Sequence, residues 1–212
     1  KEAVAYAKKH DIILLSDLAY SEIYFDDNAP PPSILQIDGA KDVAVEFTSL
    51  SKTFSMPGWR MGFAVGNERL IGALTRIKSY LDYGAFTPIQ VAASAALDSP
   101  EEVIRDIRNV YKERRDVLID VFSRAGWDVP SPQATMFAWA RIPSLFEGMT
   151  SLEFSSLLLR GADIAVSPGI GFGEYGDNHV RIALVENEQR TRQAGRNLRR
   201  FMEEHSEKRK TA

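Results

Sequence analysis

Cysteine is absent from the 212 residues. That gap removes disulfides, thiolate metal sites and a cysteine nucleophile together, and it is in keeping with a reducing compartment, so a cytoplasmic protein is expected. Long apolar runs are missing as well. None approaches the roughly 18 residues that span a bilayer, and the first residues lack the apolar core of a signal peptide, so no membrane partner is expected. Nor is there an excess of one charge: 26 Lys and Arg stand against 29 Asp and Glu, a formal −3. This balance gives no electrostatic case for nucleic acid. Histidine is sparse, and His10, His179 and His205 are too scattered to suggest a metal site or to pair with a serine in a nucleophile motif.

What is present is enough apolar material, 44% of the chain, to bury a real core in one large domain or two small ones. Two textures follow one another. In the first, Ile12 to Ser16, Val43 to Ser49 and Met61 to Gly66 are short dense apolar runs that suit strands of a sheet covered on both faces. Helical stretches surround them: the opening KEAVAYAKK, then Glu68 to Leu81 and Ile89 to Leu97, giving an α/β reading. The opening has mid-helix character and no initiator Met, and it reads as a piece of something longer. Between the first two strands, DDNAPPPS (Asp26 to Ser33) forbids a helix and marks an exposed loop.

The second texture starts at Ser99-Pro-Glu-Glu102, which has capping-box spacing with Pro at the first helical position. Val103, Ile107, Val110, Val117, Val121 and Ala125 then trace one apolar stripe, closed by Gly126. Strands are expected at Thr135 to Ile142, over DIAVS, and at His179 to Val185. Helices are expected from about Ser151 to Gly161 and from Glu188, the latter with Ala194, Leu198, Phe201 and Met202 inward. This is a smaller α+β domain, and the boundary is expected near Asp98 to Pro100. Trp59 reads as packing, and Trp127 and Trp139 as core. Gly171 to Gly176 matches the dinucleotide fingerprint GxGxxG literally, but a strand rather than a helix follows it, so no helix N-terminus awaits a pyrophosphate.

The stretch SLSKTFSMPGWRMG, Ser49 to Gly62, begins where an apolar strand ends, and in open α/β sheets ligands bind at the carboxyl ends of the strands. Asp17 ends the first strand and Tyr20 follows it, so a lysine, an aspartate, a phenol, two serines and an arginine come to one edge of one sheet. An aldehyde cofactor carrying a phosphate needs an amine for a Schiff base, donors for the phosphate and an anion opposite its ring nitrogen. Lys52, then Arg60 with Ser49 and Ser51, then Asp17 supply these in turn, with Tyr20 placed to donate to the ring oxygen. Each residue also has a plainer reading: Ser-x-Ser-Lys as a solvated loop, Asp17 as a cap, Tyr20 as a half-buried core residue. Arg181, on an alternating strand, reads by itself as the partner of a neighbouring carboxylate.

SLSKTFSMPGWRMG resembles the cofactor-lysine signature of the class I and II aminotransferases, pyridoxal phosphate enzymes of fold type I, and DLAY (Asp17 to Tyr20) is similar to their Asp-x-x-Tyr. The resemblance covers nearly the whole chain. It implies that Lys52 binds pyridoxal 5′-phosphate and shuttles the proton, that Asp17 faces the pyridine nitrogen, that Tyr20 meets the ring oxygen, and that Ser49, Ser51 and Arg60 bind phosphate. NHVRIALVEN (Asn178 to Asn187) resembles the strand whose arginine forks onto the substrate α-carboxylate, which assigns Arg181. The runs KSYLDYGAFTPIQVAA and SPGIGFGEYGDNHVRIAL look most like bacterial glutamate-pyruvate (alanine) aminotransferases and their diaminopimelate relatives.

Complete members of the family have a first half before the point where this chain opens, with an amide loop for the phosphate, an aromatic that stacks on the cofactor and an asparagine beside the ring oxygen. The resemblance therefore implies the second half of the large domain in residues 1–98 and the small C-terminal domain in 99–212. It further implies amino acid and 2-oxo acid substrates, a homodimer in the full-length protein, and a chain that alone neither transaminates nor holds cofactor tightly. The alternatives are another fold-type-I enzyme, such as a diaminopimelate aminotransferase, a lyase or a decarboxylase, and a non-catalytic aminotransferase-like regulatory domain.

Overall fold

The computed structural model describes residues 1–211. The chain divides into two compact units, Lys1–Arg108 and the remainder from Asn109. The division falls inside the long helix that follows Ser99, rather than before it.

In the first unit, helix α1 (Glu2–His10) ends at Asp11, in left-handed conformation at φ 52°, and buries Val4 and Ala7. Strand β1 (Leu14–Asp17) runs parallel to β2 (Ala44–Ser49), and β3 (Gly62–Gly66) pairs antiparallel on the other side of β2. Asp17 lies opposite Phe47, and Ser49 opposite Gly62. The carboxyl ends of β1 and β2 and the start of β3 thus share one edge. Gly62 is required there, since a Cβ would stand 2.5 Å from the Thr48 carbonyl oxygen. Helices α2 (Leu50–Thr53), α3 (Glu68–Leu81) and α4 (Thr87–Leu97) complete the unit, together with the start of α5 (Glu101–Arg124).

Two-sided burial holds for β2, where Ala44, Val45 and Glu46 are all buried. It does not hold for the outer strands: Leu15 is 70% exposed, and Phe63 and Val65 are exposed on β3. Only the middle strand has a hydrogen-bonded neighbour on each side.

The second unit packs α5, α6 (Ser151–Ala162) and α7 (Glu188–Thr211) against an antiparallel sheet in the order β4 (Phe137–Arg141), β6 (His179–Ala183), β5 (Ser167–Pro168). Side chains alternate across this sheet with a period of two. Ala138, Ala140, Val180 and Ile182 face the core, while Phe137, Trp139, His179 and Arg181 occupy the alternate positions on the opposite face. Trp127 is the hub. It stacks on Phe122 at 5.6 Å, meets Phe154 edge-on at 5.4 Å and donates its indole N–H to the Arg141 carbonyl at 2.8 Å. Burying each such ring contributes roughly 1.5–3 kcal/mol. Leu198, Phe201 and Met202 of α7 close the core.

Several expectations are corrected. Ser99 does not cap α5; its hydroxyl donates to the Ala95 carbonyl at the end of α4, and Glu102 pairs with Arg105. The serine follows α4 so closely that an orphan helix carbonyl accepts its hydroxyl hydrogen bond. The buried face of α5 runs through Leu118 and Phe122, backed by Tyr111; of the expected stripe, Ala125 is buried and Val121 packs against the same core, while Val103 and Val110 are exposed. The stripe is covered only toward the end of the helix, where the second unit's core lies. DIAVS yields only the two-residue β5 at its end, and Trp139 is 40% exposed because it sits on the outer face of β4. Among the described residues, no helix is long and apolar enough to cross a membrane.

Candidate active site

The edge formed by the ends of β1 and β2 carries six of the seven singled-out residues. Asp17 is the last residue of β1 and is exposed, and its carboxylate accepts the Ala19 N–H at 3.2 Å. The chain then turns at Tyr20, which brings the phenol ring under the Lys52 ammonium, 5.0 Å from Nζ to the ring centroid. Ser49 ends β2 and caps α2, its Oγ accepting the Ser51 N–H at 3.2 Å. That leaves the Ser49 hydroxyl proton free to donate. Ser51 is buried on α2, and Lys52 is half-buried beside it.

Arg60 follows the short turn Pro57–Trp59 in left-handed conformation at φ 53°. Such a conformation costs a non-glycine residue roughly 1–2 kcal/mol, and strain of this kind gathers at binding sites. Its guanidinium donates to the Pro57 carbonyl at 3.1 Å, a contact that leaves further donors outward. Trp59, beside it in the same turn, is 47% exposed.

A primary amine, a guanidinium, two hydroxyls, a carboxylate and a phenol therefore occupy one strand edge of one unit. This donor set fits a phosphorylated pyridine aldehyde: amine for the aldehyde, cation and hydroxyls for the phosphate, carboxylate for the ring nitrogen. Beneath this edge Glu46, buried on β2, joins β1 to the segment after the prolines by accepting from Ser33 Oγ (2.7 Å), Ile34 N–H (2.9 Å) and Ser16 Oγ (3.2 Å). Sequence reasoning missed Glu46, although a glutamate inside an otherwise apolar strand was a visible signal of a satisfied buried carboxylate.

Arg181 belongs to the second unit, on the outer face of β6. Among the described residues it has no carboxylate within ion-pairing distance, so the plain salt-bridge reading fails. Its Cζ lies 4.3 Å from the Phe137 ring centroid and 4.5 Å from that of Phe172, its NH2 donates to Ser167 Oγ at 3.5 Å, and its Nε is buried without a partner. Alternation along β4 places Phe137 near Arg181; nothing local in the sequence points to Phe172.

The sequence matches the family described as aminotransferase class I and II over residues 1–196. It is 69% identical over 202 residues to the putative aminotransferase AatC of Rhizobium meliloti, covering 95% of this chain and 50% of that protein. It is 54% identical over 199 residues to the glutamate-pyruvate aminotransferase AlaC of Escherichia coli, covering 94% and 48%. LL-diaminopimelate aminotransferases are among the further relatives. Among solved structures, substrate-bound BacF of Bacillus subtilis superimposes with a TM-score of 0.89 at 40% identity, over 94% of this chain and 50% of that one. The chain spans about half the length of the curated relatives it matches. With the lysine edge built as described and the family match running through both units, this chain belongs to the class I and II aminotransferases, pyridoxal phosphate-dependent proteins of fold type I.

Proposed function

We propose that this chain supplies the lysine-bearing part of a homodimeric, cytoplasmic aminotransferase that moves an amino group between an amino acid of the alanine or glutamate type and a 2-oxo acid. Residues 1–98 are read as the second half of its large domain and 99–212 as its small domain. The observation that carries the reading is Lys52 Nζ held over the Tyr20 ring at the strand edge that also presents Asp17 and Arg60.

When bound, pyridoxal phosphate supplies a conjugated ring that accepts the electron pair left at the substrate α-carbon. Asp17 keeps a proton on the pyridine nitrogen by placing an anion opposite it. Arg60, Ser49 and Ser51 hold the phosphate, and Tyr20 donates to the ring oxygen. Lys52 holds the cofactor at Nζ and acts with the same nitrogen as the base that takes the α-proton and gives it back. Arg181 forks onto the α-carboxylate, for which a planar guanidinium is suited and an ammonium is not.

In the full-length protein, borohydride reduction should fix the cofactor to a peptide containing Lys52, and Lys52→Ala should lose the bound chromophore and lower transamination by about 10²–10⁴-fold or more. A label on another lysine overturns the assignment. Alanine with 2-oxoglutarate should be a far better pair than aspartate with 2-oxoglutarate, in line with the likeness to AlaC. A second reading, with diaminopimelate as donor, is favoured by the LL-diaminopimelate aminotransferases among the relatives, and preference for that donor in the same assay would replace the first.

A further inference from the structure

We propose that Phe137 and Phe172 are positioning residues that hold the guanidinium plane of Arg181 and so set the affinity for the substrate's α-carboxylate. The proposal rests on the reading of Arg181 given above.

An arginine on the open face of a sheet ordinarily samples many rotamers or pairs with a nearby carboxylate. Arg181 has no carboxylate partner among the described residues and lies instead against two rings. Two ring centroids lie within 4.5 Å of its Cζ, its Nε is enclosed without a hydrogen bond, and its one side-chain partner among the described residues is a hydroxyl at 3.5 Å. Neutral rings attract the cation without presenting an acceptor that a carboxylate must displace. The guanidinium is thus fixed in place and short of acceptors, the condition in which an arriving carboxylate pays little ordering entropy and gains two charge-assisted bonds.

The clamp is built to stay closed. Phe137 is carried by β4, two residues from Trp139 on the same face, and Trp139 is registered opposite Arg181. Phe172 comes from a loop and is 52% exposed, yet its loop is pinned at both ends. Ser151, fully buried at the start of α6, donates its hydroxyl to Asp177 Oδ1 at 2.7 Å and accepts the Ile170 N–H at 3.0 Å, while its own N–H reaches the same Asp177 oxygen at 3.0 Å. Gly169 and Gly176 bring the loop's two limbs so close that a Cβ on Gly169 would stand 2.0 Å from the Gly176 carbonyl oxygen. Trp139 then backs Phe172 edge-on at 5.7 Å and is itself stacked on His179 at 5.3 Å and 11°. A half-exposed ring held this firmly, with its contact to a cation, has a use beyond packing.

The test uses the full-length holoenzyme, with steady-state kinetics for both substrates and calorimetric titration with 2-oxoglutarate. Phe172→Leu keeps apolar bulk but removes the π face; because the side chain is half exposed, the core is left intact. Its KM for amino acid and oxo acid, and the Kd for 2-oxoglutarate, should rise about three- to tenfold, with kcat changed less than about twofold and cofactor absorbance unchanged. Phe172→Tyr, which restores the ring, should bring KM back to within about twofold of wild type. Phe137→Leu should shift the same constants in the same direction. Arg181→Lys is the control for the underlying reading. If Arg181→Lys weakens both substrates while both leucine variants keep wild-type KM, the clamp is overturned and the carboxylate role stands. If Arg181→Lys leaves KM unchanged, the carboxylate role falls and the clamp falls with it.

Discussion

Glu46 shows how much one residue can govern near this site. Its carboxylate is buried on the middle strand and gathers two hydroxyls and a backbone N–H, two of these partners from the segment that follows the three prolines. A buried charge is costly unless it is hydrogen-bonded, and here three donors meet it. Truncation leaves those donors without their acceptor, at about 1–3 kcal/mol for each group left unsatisfied. Glu46→Ala should therefore lower the unfolding free energy of the full-length protein by about 3 kcal/mol in urea denaturation. Stability within a few tenths of wild type would show that water replaces the carboxylate.

At the scale of elements, termini decide more than propensities. Helix α6 carries the reciprocal cap that α5 lacks: Thr150 Oγ accepts the Glu153 N–H at 3.3 Å, and the Glu153 carboxylate accepts the Thr150 N–H at 2.9 Å and its hydroxyl at 2.8 Å. The Thr150 backbone bond, then the hydroxyl bond, lowers the Glu153 pKa. A carboxyl lowered in the folded state contributes stability above its unfolded pKa and loses it as pH falls through the folded value. Glu153→Gln should accordingly be less stable than wild type at neutral pH, and the gap should shrink as pH drops below the ordinary carboxylate range. A gap independent of pH would mean that the cap works by geometry alone. The same helix starts the Ser151–Asp177 network, so its N-terminus fixes the loop beside Arg181 as well as itself.

On the scale of the whole molecule, the two units differ in how well they close. The second has one continuous core of aromatic and aliphatic side chains from α5, α6, α7 and its sheet. The first exposes Leu15, Tyr80, Leu81, Tyr83, Phe86 and Val91, the last five on or beside α3 and α4. Apolar patches of this extent favour association, and β1 offers an edge for pairing. Residues 1–212 expressed by themselves should therefore self-associate in light scattering. They should also fail to give tight, stoichiometric absorbance changes when titrated with pyridoxal phosphate. A monomer that binds one equivalent tightly and transaminates would show that the site is complete within these residues.

Local chemistry settled the lysine edge from sequence. The spacing from Ser49 to Arg60, the apolar run before it and Asp17 ending a second run are properties of neighbouring residues, and strand alternation with a shared carboxyl edge is enough to gather them. The positions of α3 and α7 were legible for the same reason, since helical periodicity and caps act within a turn or two. Contacts between distant segments were not legible. Whether Ser99 capped α5 or served α4, how much of the α5 stripe was buried, and whether Trp139 faced the core all depended on what packed opposite. The surroundings of Arg181 depended on a loop closed by Ser151 and Asp177, 26 residues apart. Sequence determined which groups are available and which way strands present them; only tertiary structure decided which partner each group meets, because that choice is made by residues far apart in the chain competing for the same space.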